Sequence, residues 1–158
     1  MMKNCHRVFL VTLSIFVFAY LLNFVWESFH SFSLYQGHNI ESGKYVLMIN
    51  YMSIMDAVTI LGIYLTIAFF EKDILWLEQL TKKRILMIII FGLITAILAE
   101  YRAVYLTKEW SYNAFMPVVF GIGVSPMIQL SITGWLAIWV TSRLFYPAIG
   151  RINYKNPD

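Results

Sequence analysis

The sequence predicts an all-α, polytopic integral membrane protein: a bundle of four transmembrane helices in a single domain spanning residues 1–158. Two observations predict this fold. Hydrophobic residues make up 59% of the chain and charged residues only 13%, whereas a soluble domain usually carries about 25% charged residues. The apolar residues also fall into four stretches, each long enough to cross about 30 Å of hydrocarbon. These figures exclude a soluble globular domain and a disordered chain.

The predicted spans cover residues 8–30, 46–70, 85–106 and 114–142. Lys3 and Arg7 precede the first span as in a signal peptide, but no small-residue cleavage site follows, so we expect a retained helix. The fourth span contains the segment Gly121-Ile-Gly-Val-Ser-Pro126. Because proline removes a helical hydrogen bond, we expect a kink near Gly123. No alternating pattern of about ten residues recurs, which argues against a β-barrel.

The basic residues predict the orientation of the chain. Nine of the twelve Lys and Arg residues fall on one side of the four-span topology: Lys3, Arg7, Lys72, Lys82, Lys83, Arg84, Arg143, Arg151 and Lys155. The positive-inside rule then places both termini in the cytoplasm, an N-in and C-in topology. We expect a multi-pass protein of the cytoplasmic (inner) membrane.

Four charged residues lie inside the predicted spans. At 1.5 Å per residue, Glu27 lies about 5 Å below the outer surface, Asp56 and Glu100 lie about 10 Å below it, and Arg102 falls in the same layer. A charge at such a depth costs several kcal/mol unless it faces the bundle interior or a water-filled cavity. The common depth therefore predicts one carboxylate-rich polar pocket in the outer half of the bilayer.

The three carboxyl groups in this layer are the candidate catalytic residues. We expect an excess of carboxyl groups in a site of low dielectric to keep at least one of them protonated, which places a proton donor beside an acceptor. Glu27 or Asp56 is the expected donor, and Glu100 the acceptor or an orienting group. Arg102 points away from Glu100, so we expect it to pair with Glu27 or Asp56 or to reach the surface. The alternative is that these residues only hydrogen-bond the helices together.

Helical spacing and aromatic residues near the outer boundary indicate candidate substrate-binding residues. Asn23, Glu27 and His30 share one face of the first span, and Gln129 is the expected floor of the pocket. The Trp and Tyr rings would bind a cation or an apolar chain. The full set is Asn23, Trp26, His30, Arg102, Trp110, Tyr112, Ser125 and Gln129.

The sequence predicts no metal, no cofactor and no nucleic-acid partner. Glu27-x-x-His30 has the spacing of a helical di-iron motif, but it occurs once where such a site needs it twice. A single metal ion would need further ligands such as His38 or Asp56. Cys5 is the single cysteine, which excludes an internal disulfide, and the net charge of +3 is too small to indicate nucleic-acid binding.

Two resemblances arise at these residues. The first is to uncharacterised small four-helix integral membrane proteins of bacteria and archaea, and it implies the fold but no activity. It is carried by Asn23-x-x-Trp26-Glu27, Asp56, Glu100, Trp110-x-Tyr112, Met116-Pro117 and Gly121-x-Gly-x-Ser-Pro126-x-x-Gln129.

The second resemblance covers one span. Asn23-Phe24-Val25-Trp26-Glu27, with Tyr35 beyond it, is similar to the Asn-Phe-x-Trp-Glu segment of the fungal transmembrane terpene cyclases. In that family the Glu, with an Asp on another helix, is thought to protonate an isoprenoid epoxide or alkene and so start cyclisation. The resemblance implies this role for Glu27 alone, because those enzymes are longer and have more helices.

Three functions remain open from the sequence. The first is acid–base catalysis, of the cyclisation or isomerisation type, on a lipid or isoprenoid. The second is a small proton-coupled transporter or carrier, for which a four-span chain is expected to form a homo-oligomer. The third is a non-catalytic assembly subunit whose polar residues contact a partner. All three share the lipid bilayer as a partner.

Overall fold

Four long helices make up most of the computed structural model, which describes residues 2–37 and 40–146, with side chains from residue 5 onwards. They are α1 (Met2–Leu34), α2 (Ser42–Glu71), α3 (Lys82–Tyr101) and α4 (Val124–Phe145). Each is long and apolar enough to cross a membrane, α3 being counted together with the π-helical turn Arg102–Leu106. The predicted all-α bundle of four membrane-spanning helices is confirmed.

The helices form a ring in which each contacts its neighbours in the chain and α4 closes against α1. Helices α3 and α4 approach closely because Gly92 has no side chain: a Cβ there would stand 2.8 Å from the backbone of Ser131. The Ser131 hydroxyl also donates a hydrogen bond to the carbonyl oxygen of Ile89, at 2.9 Å. Helices α2 and α3 make the fewest contacts of the neighbouring pairs. We call the boundary between them the α2–α3 seam.

The two ends of the bundle differ in their connections. At one end, the antiparallel strands β1 (Val118–Val119) and β2 (Ile122–Gly123) precede α4. We call this the hairpin end. At the opposite end, the connection from α2 to α3 contains a 3₁₀ turn that begins at Trp76. The fully buried Trp76 donates its indole N–H to the carbonyl oxygen of Tyr64, at 3.2 Å.

The apolar core fills the opposite end of the bundle, and polar side chains occupy the interior of the hairpin end. Large apolar side chains also cover the outside of the helices, which is the surface expected to face lipid. Phe29, Phe32, Leu47 and Phe69 are each exposed by 70% or more. The core residues at the opposite end include Val11, Ile15, Tyr64, Ile67, Trp76, Leu77, Ile88, Ala137 and Ile138.

The fourth helix begins later than predicted, at Val124 rather than Ala114. The residues before it form the hairpin, whose two turn residues, Phe120 and Gly121, have positive φ angles of 51° and 81°. Two positive φ angles are what a tight hairpin turn requires. Gly123 is the residue before the first helical turn, so the predicted kink at this position is wrong. Pro126 lies within that first turn, where a helix needs no backbone N–H.

Candidate functional site

A pocket of about 310 Å³ lies inside the hairpin end, and all four helices line it. It contains the three predicted catalytic carboxyl groups, Glu27 from α1, Asp56 from α2 and Glu100 from α3. We call it the carboxylate pocket. The structure therefore brings together acids that lie far apart in the sequence. The apolar part of the lining consists of Met48, Met52, Ala96, Ala99, Pro126 and Leu130.

Gln129 lies between the acids of α1 and α2. Its side-chain nitrogen donates to Oε1 of Glu27 at 2.7 Å and to Oδ2 of Asp56 at 2.8 Å. The same nitrogen is 3.1 Å from Oδ1 of Asn23. An amide nitrogen carries two hydrogens, so the three acceptors share them. Gln129 is buried and lines the pocket, which makes it the common donor of the site.

Asn23 lies beneath the pocket and is absent from its lining. Its Oδ1 accepts from Gln129 and, at 3.1 Å, from the hydroxyl of Thr133. Its amide nitrogen donates to the carbonyl oxygen of Ala19, at 2.8 Å. Asn23 is fully buried, and its observed contacts are with Gln129, Thr133 and the backbone of α1. Its predicted part in substrate binding stays a prediction.

Both carboxyl oxygens of Glu27 accept hydrogen bonds. One donor lies on the same helix, α1, and the other lies on α4. The Ser31 hydroxyl donates to Oε2 at 3.0 Å, and Gln129 donates to Oε1. Nδ1 of His30 lies 3.9 Å from Oε1. The spacings of three and four residues place all these α1 side chains on one helical face. Glu27 itself is only 4% exposed.

Among the described residues, Glu100 has more hydrogen-bond donors than Glu27 or Asp56. Tyr112 donates its hydroxyl to Oε2 at 2.5 Å, and the indole N–H of Trp110 is directed to the same oxygen at 3.5 Å. Tyr35 donates to Oε1 at 3.1 Å. Burial, together with the neighbouring Glu100 carboxylate, raises the pKa of Tyr112 and of Tyr35 above the usual value. Both phenols therefore stay protonated and act as donors.

Asp56 has a simpler environment. Among the described residues, the hydrogen-bond donor to its carboxyl group is Gln129. The side chain is half-buried and lines the pocket. Within the same part of the chain, no Lys or Arg forms an ion pair with Glu27, Asp56 or Glu100. The pocket thus contains three acids in three different environments and, among its described lining residues, no Lys or Arg.

Arg102 lies outside the carboxylate pocket. Its side chain is exposed, so the expected pairing with Glu27 or Asp56 is wrong, and the alternative position at the surface is the one observed. The reason is geometric: residues two apart on a helix do not share a face, and Glu100 faces the interior. Arg102 also begins the π-helical turn, which the sequence pattern did not reveal. Such turns are frequent at functional sites.

Trp26 and Ser125 line a different cavity, an apolar groove of about 540 Å³ between α1 and α4. They are therefore separated from the three acids. His30 lines both this groove and the carboxylate pocket. Its two ring nitrogens and the indole nitrogen of Trp26 are buried and make no hydrogen bond to a described residue. Of the predicted binding residues, Trp110, His30 and Gln129 line the carboxylate pocket itself.

Several site residues were missed by sequence reasoning although a signal existed. Ser31 follows Glu27 by four residues and Thr133 follows Gln129 by four, so helical spacing alone would place each beside its partner. Met52 precedes Asp56 by the same interval. Tyr35 follows Ser31 by four residues as well and is part of the second resemblance. Its contact with Glu100 could not be predicted, because that contact depends on where the chain leads after α1 ends.

The described residues contain no group of three or more His, Cys, Asp or Glu side chains arranged to hold a metal ion. His38, which was considered as an additional ligand beside Glu27 and His30, lies outside the described residues.

Comparison with known proteins finds no match for this chain among protein families, curated proteins or solved structures. The two resemblances noted in the sequence stay predictions.

Proposed function

We propose that the protein catalyses an acid–base reaction, of the cyclisation or isomerisation type, on a lipid or isoprenoid dissolved in the membrane. The observation that supports this function is the unequal environment of acids that share one pocket. Glu100 accepts from Tyr35, Tyr112 and Trp110, whereas Asp56 accepts from Gln129. Donors stabilise a carboxylate in its ionised form. Glu100 is thus suited to act as the base and Asp56 as the acid.

The proposed step conserves protons and electrons. Asp56 gives its proton to an alkene carbon, where the π electrons form the new C–H bond, or to an epoxide oxygen, where the C–O bond then breaks and its electrons stay on the oxygen. In both cases the substrate becomes a carbocation. Glu100 then takes a proton from a neighbouring carbon, and the electrons of that C–H bond form the new double bond. The rings of Tyr35 and Trp110 adjoin the pocket and attract positive charge through their faces. Glu27, which shares Gln129 with Asp56, holds that amide in place.

The apolar core favours catalysis over the second function, proton-coupled transport. A carrier must give its substrate a path to both sides of the membrane. At the opposite end of the bundle, buried apolar side chains such as Ile15, Ile67 and Trp76 fill the interior. A carrier would have to rearrange this core, whereas an enzyme needs access from one side only. The third function, a non-catalytic subunit, gives no reason for an open pocket lined by three acids.

Solvent deuterium tests the proposal. The protein is reconstituted in liposomes in D₂O with a panel of isoprenoid alcohols, epoxides and unsaturated lipids, and products are analysed by mass spectrometry. Protonation of an alkene by Asp56 places a C–D bond in the product, and Asp56→Asn and Glu100→Gln should abolish it. The matched control is Glu41→Gln, an exposed acid that pairs with Lys44 outside the pocket at 3.8 Å. An epoxide protonated on oxygen gains only an exchangeable O–D, so its product, an isomer of the substrate, is identified by chromatography instead. The absence of both kinds of product with the wild type, or product formation undiminished in both pocket variants, overturns the proposal.

A second assay separates catalysis from transport. Proton flux is followed in proteoliposomes that contain the wild-type protein or Glu100→Gln. Under the proposed function, the wild-type protein carries no flux. A flux that disappears in Glu100→Gln would instead support the carrier.

We also propose that the chain lies N-in and C-in in the cytoplasmic membrane, with the carboxylate pocket in the outer half of the bilayer. The charges support this orientation: Lys72, Lys82, Lys83 and Arg84 all lie at the opposite end of the bundle, and basic residues favour the cytoplasm. Arg151 and Lys155, which contribute to the same prediction, lie outside the described residues. Alkaline phosphatase fused after Asp158 should be inactive; an active fusion would place the C-terminus outside.

A further inference from the structure

We propose that the carboxylate pocket opens sideways through the α2–α3 seam and admits a single-chain lipid or isoprenoid directly from the bilayer. This inference rests on the proposed function, because that function supplies the reason for a lipid chain to enter the pocket. It adds the route of access and narrows the substrate class from lipids in general to molecules with one apolar chain.

The seam is held closed at the opposite end of the bundle. There the rings of Phe70 and Phe91 stack with centroids 6.1 Å apart and planes 14° apart. The carboxylate of Glu71 forms an ion pair with Arg84, at 2.8 Å. These two contacts fix α2 to α3 near their connection. At the hairpin end the carboxylate pocket lies between the same two helices, which explains why this neighbouring pair makes the fewest contacts.

The pocket wall at the seam is apolar and accessible. Ala99 lines the pocket and is nevertheless exposed, and Met48 and Met52 line it from α2 and are half-buried. The seam is flanked on the outside by exposed apolar side chains, including Tyr51 at 63% and Leu98 at 64%. The apolar lining is therefore continuous with the surface that faces lipid. A hydrocarbon chain can pass along it without crossing a polar boundary.

The polar side of the carboxylate pocket is formed by a different segment, the connection between α3 and α4. Glu109, which is exposed, and Trp110, which is half-buried, line the pocket from the connection between α3 and α4. This side leads to the hairpin end of the bundle. The pocket therefore offers a polar face to water and a separate apolar face to the bilayer, as a site for a membrane-dissolved substrate requires.

The size of the pocket argues for one chain. Its volume of about 310 Å³ lies at the lower limit of the range of about 300–1,000 Å³ for small-molecule pockets. A two-chain phospholipid is too large for it. Met52 lies one helical turn from Asp56, so the end of a chain that passes Met52 comes next to the proposed acid. Methionine side chains adapt to chains of different shape.

Photolabelling tests the route. The protein is reconstituted in phosphatidylcholine liposomes with a diazirine-bearing prenyl alcohol, a diazirine-bearing fatty alcohol or a diazirine-bearing phosphatidylcholine, and adducts are mapped by mass spectrometry. We expect a single-chain probe to label Met48 or Met52. Ala99→Trp should block the seam and remove these adducts, whereas Leu21→Trp, at an exposed lipid-facing position on α1, should preserve them. Met48→Trp blocks the seam from α2, and thermal unfolding shows whether each variant is folded.

The outcomes separate this inference from the proposed function. Labelling by the prenyl or the fatty alcohol supports it and identifies which chain is accepted. Pocket labelling by the two-chain probe at an equal level overturns it, as does labelling that persists in folded Ala99→Trp and Met48→Trp. Asp56→Asn and Glu100→Gln should retain the adducts while losing deuterium incorporation. Adducts without any wild-type incorporation would contradict the catalytic proposal and leave the lateral route standing.

Discussion

Tyr112 donates a 2.5 Å hydrogen bond to Glu100 and so ties the connection before the hairpin to the acid of α3. Trp110, two residues earlier, is directed to the same carboxyl oxygen. Tyr112 also forms an isolated β-bridge with Tyr35, whose hydroxyl donates to the other oxygen of Glu100. The environment of Glu100 is therefore built by segments outside the helices.

Tyr112→Phe should weaken the proposed activity more than it weakens the fold. Hydrogen bonds to charged groups contribute about 1.5–3 kcal/mol, so we expect at least about a tenfold loss in the rate of deuterium incorporation. Tyr101→Phe is the matched control, because Tyr101 is 50% exposed and lies on the outer face of α3. Equal rates for the wild type and Tyr112→Phe would show that this hydrogen bond has no part in the reaction.

Alkaline unfolding should report on Tyr112. Burial, followed by its hydrogen bond to Glu100, raises the pKa of this phenol above the usual 10.0. The folded protein thus keeps the proton that the unfolded chain releases near pH 10, and the stability linked to it is complete below that pH and is lost as the pH rises. From about pH 9 to about pH 11, the melting temperature of the wild type should fall further than that of Tyr112→Phe. Parallel curves would contradict this assignment.

Gln129→Leu should destabilise the protein by about 1.5–3 kcal/mol, because Glu27 and Asp56 both lose a donor. The measurement is denaturant unfolding in detergent micelles. In a double-mutant cycle with Asp56→Ala, which removes the acceptor, we expect a coupling energy of about 0.5–3 kcal/mol, since the two side chains share one hydrogen bond. Additive effects would show that the bond between Gln129 and Asp56 contributes nothing to stability.

Gly92→Ala should loosen the contact between α3 and α4. Its Cβ would stand 2.8 Å from the backbone of Ser131, and overpacking of this kind costs about 1–3 kcal/mol. Gly62→Ala is the matched control within α2, where an added Cβ meets nothing within 4 Å. That substitution should be neutral or stabilise by up to about 1 kcal/mol. The melting temperature of Gly92→Ala should therefore fall, and that of Gly62→Ala should stay the same or rise. A higher melting temperature for Gly92→Ala would contradict the close approach of α3 to α4.

Phe120→Asn should stabilise the hairpin. Phe120 has a φ angle of 51° and its side chain is fully exposed, so it has a left-handed backbone conformation and no packing to offset the cost. This conformation costs most residues about 1–2 kcal/mol, and asparagine tolerates it better. Phe115→Asn is the control, because Phe115 is also exposed, by 81%, but lacks a positive φ. We expect the free energy of unfolding to rise by up to about 1 kcal/mol for Phe120→Asn and not for Phe115→Asn.

The helices could be predicted because hydropathy is a local property. Residues 114–123 show where this fails: they are as apolar as a helix, but Pro117 and the turn at Gly121 form a hairpin, and a hydropathy average does not distinguish the two. The site could be predicted in part for a different reason. A charge such as Asp56 or Glu100 inside a span is so costly that it must face the interior, which indicates its direction but not its partners.

The sequence by itself determined that four helices cross a membrane and that Glu27, Asp56 and Glu100 face the interior. Both follow from the free-energy cost of placing polar groups in hydrocarbon. This cost depends on the side chain of each residue and is therefore readable from the sequence. Only the tertiary structure decided which groups meet: it put Gln129 between Glu27 and Asp56, brought Tyr35 and Tyr112 to Glu100, and left Arg102 outside. Those pairings depend on the order, rotation and spacing of the helices in the ring, and these are set by packing between segments that are distant in the chain.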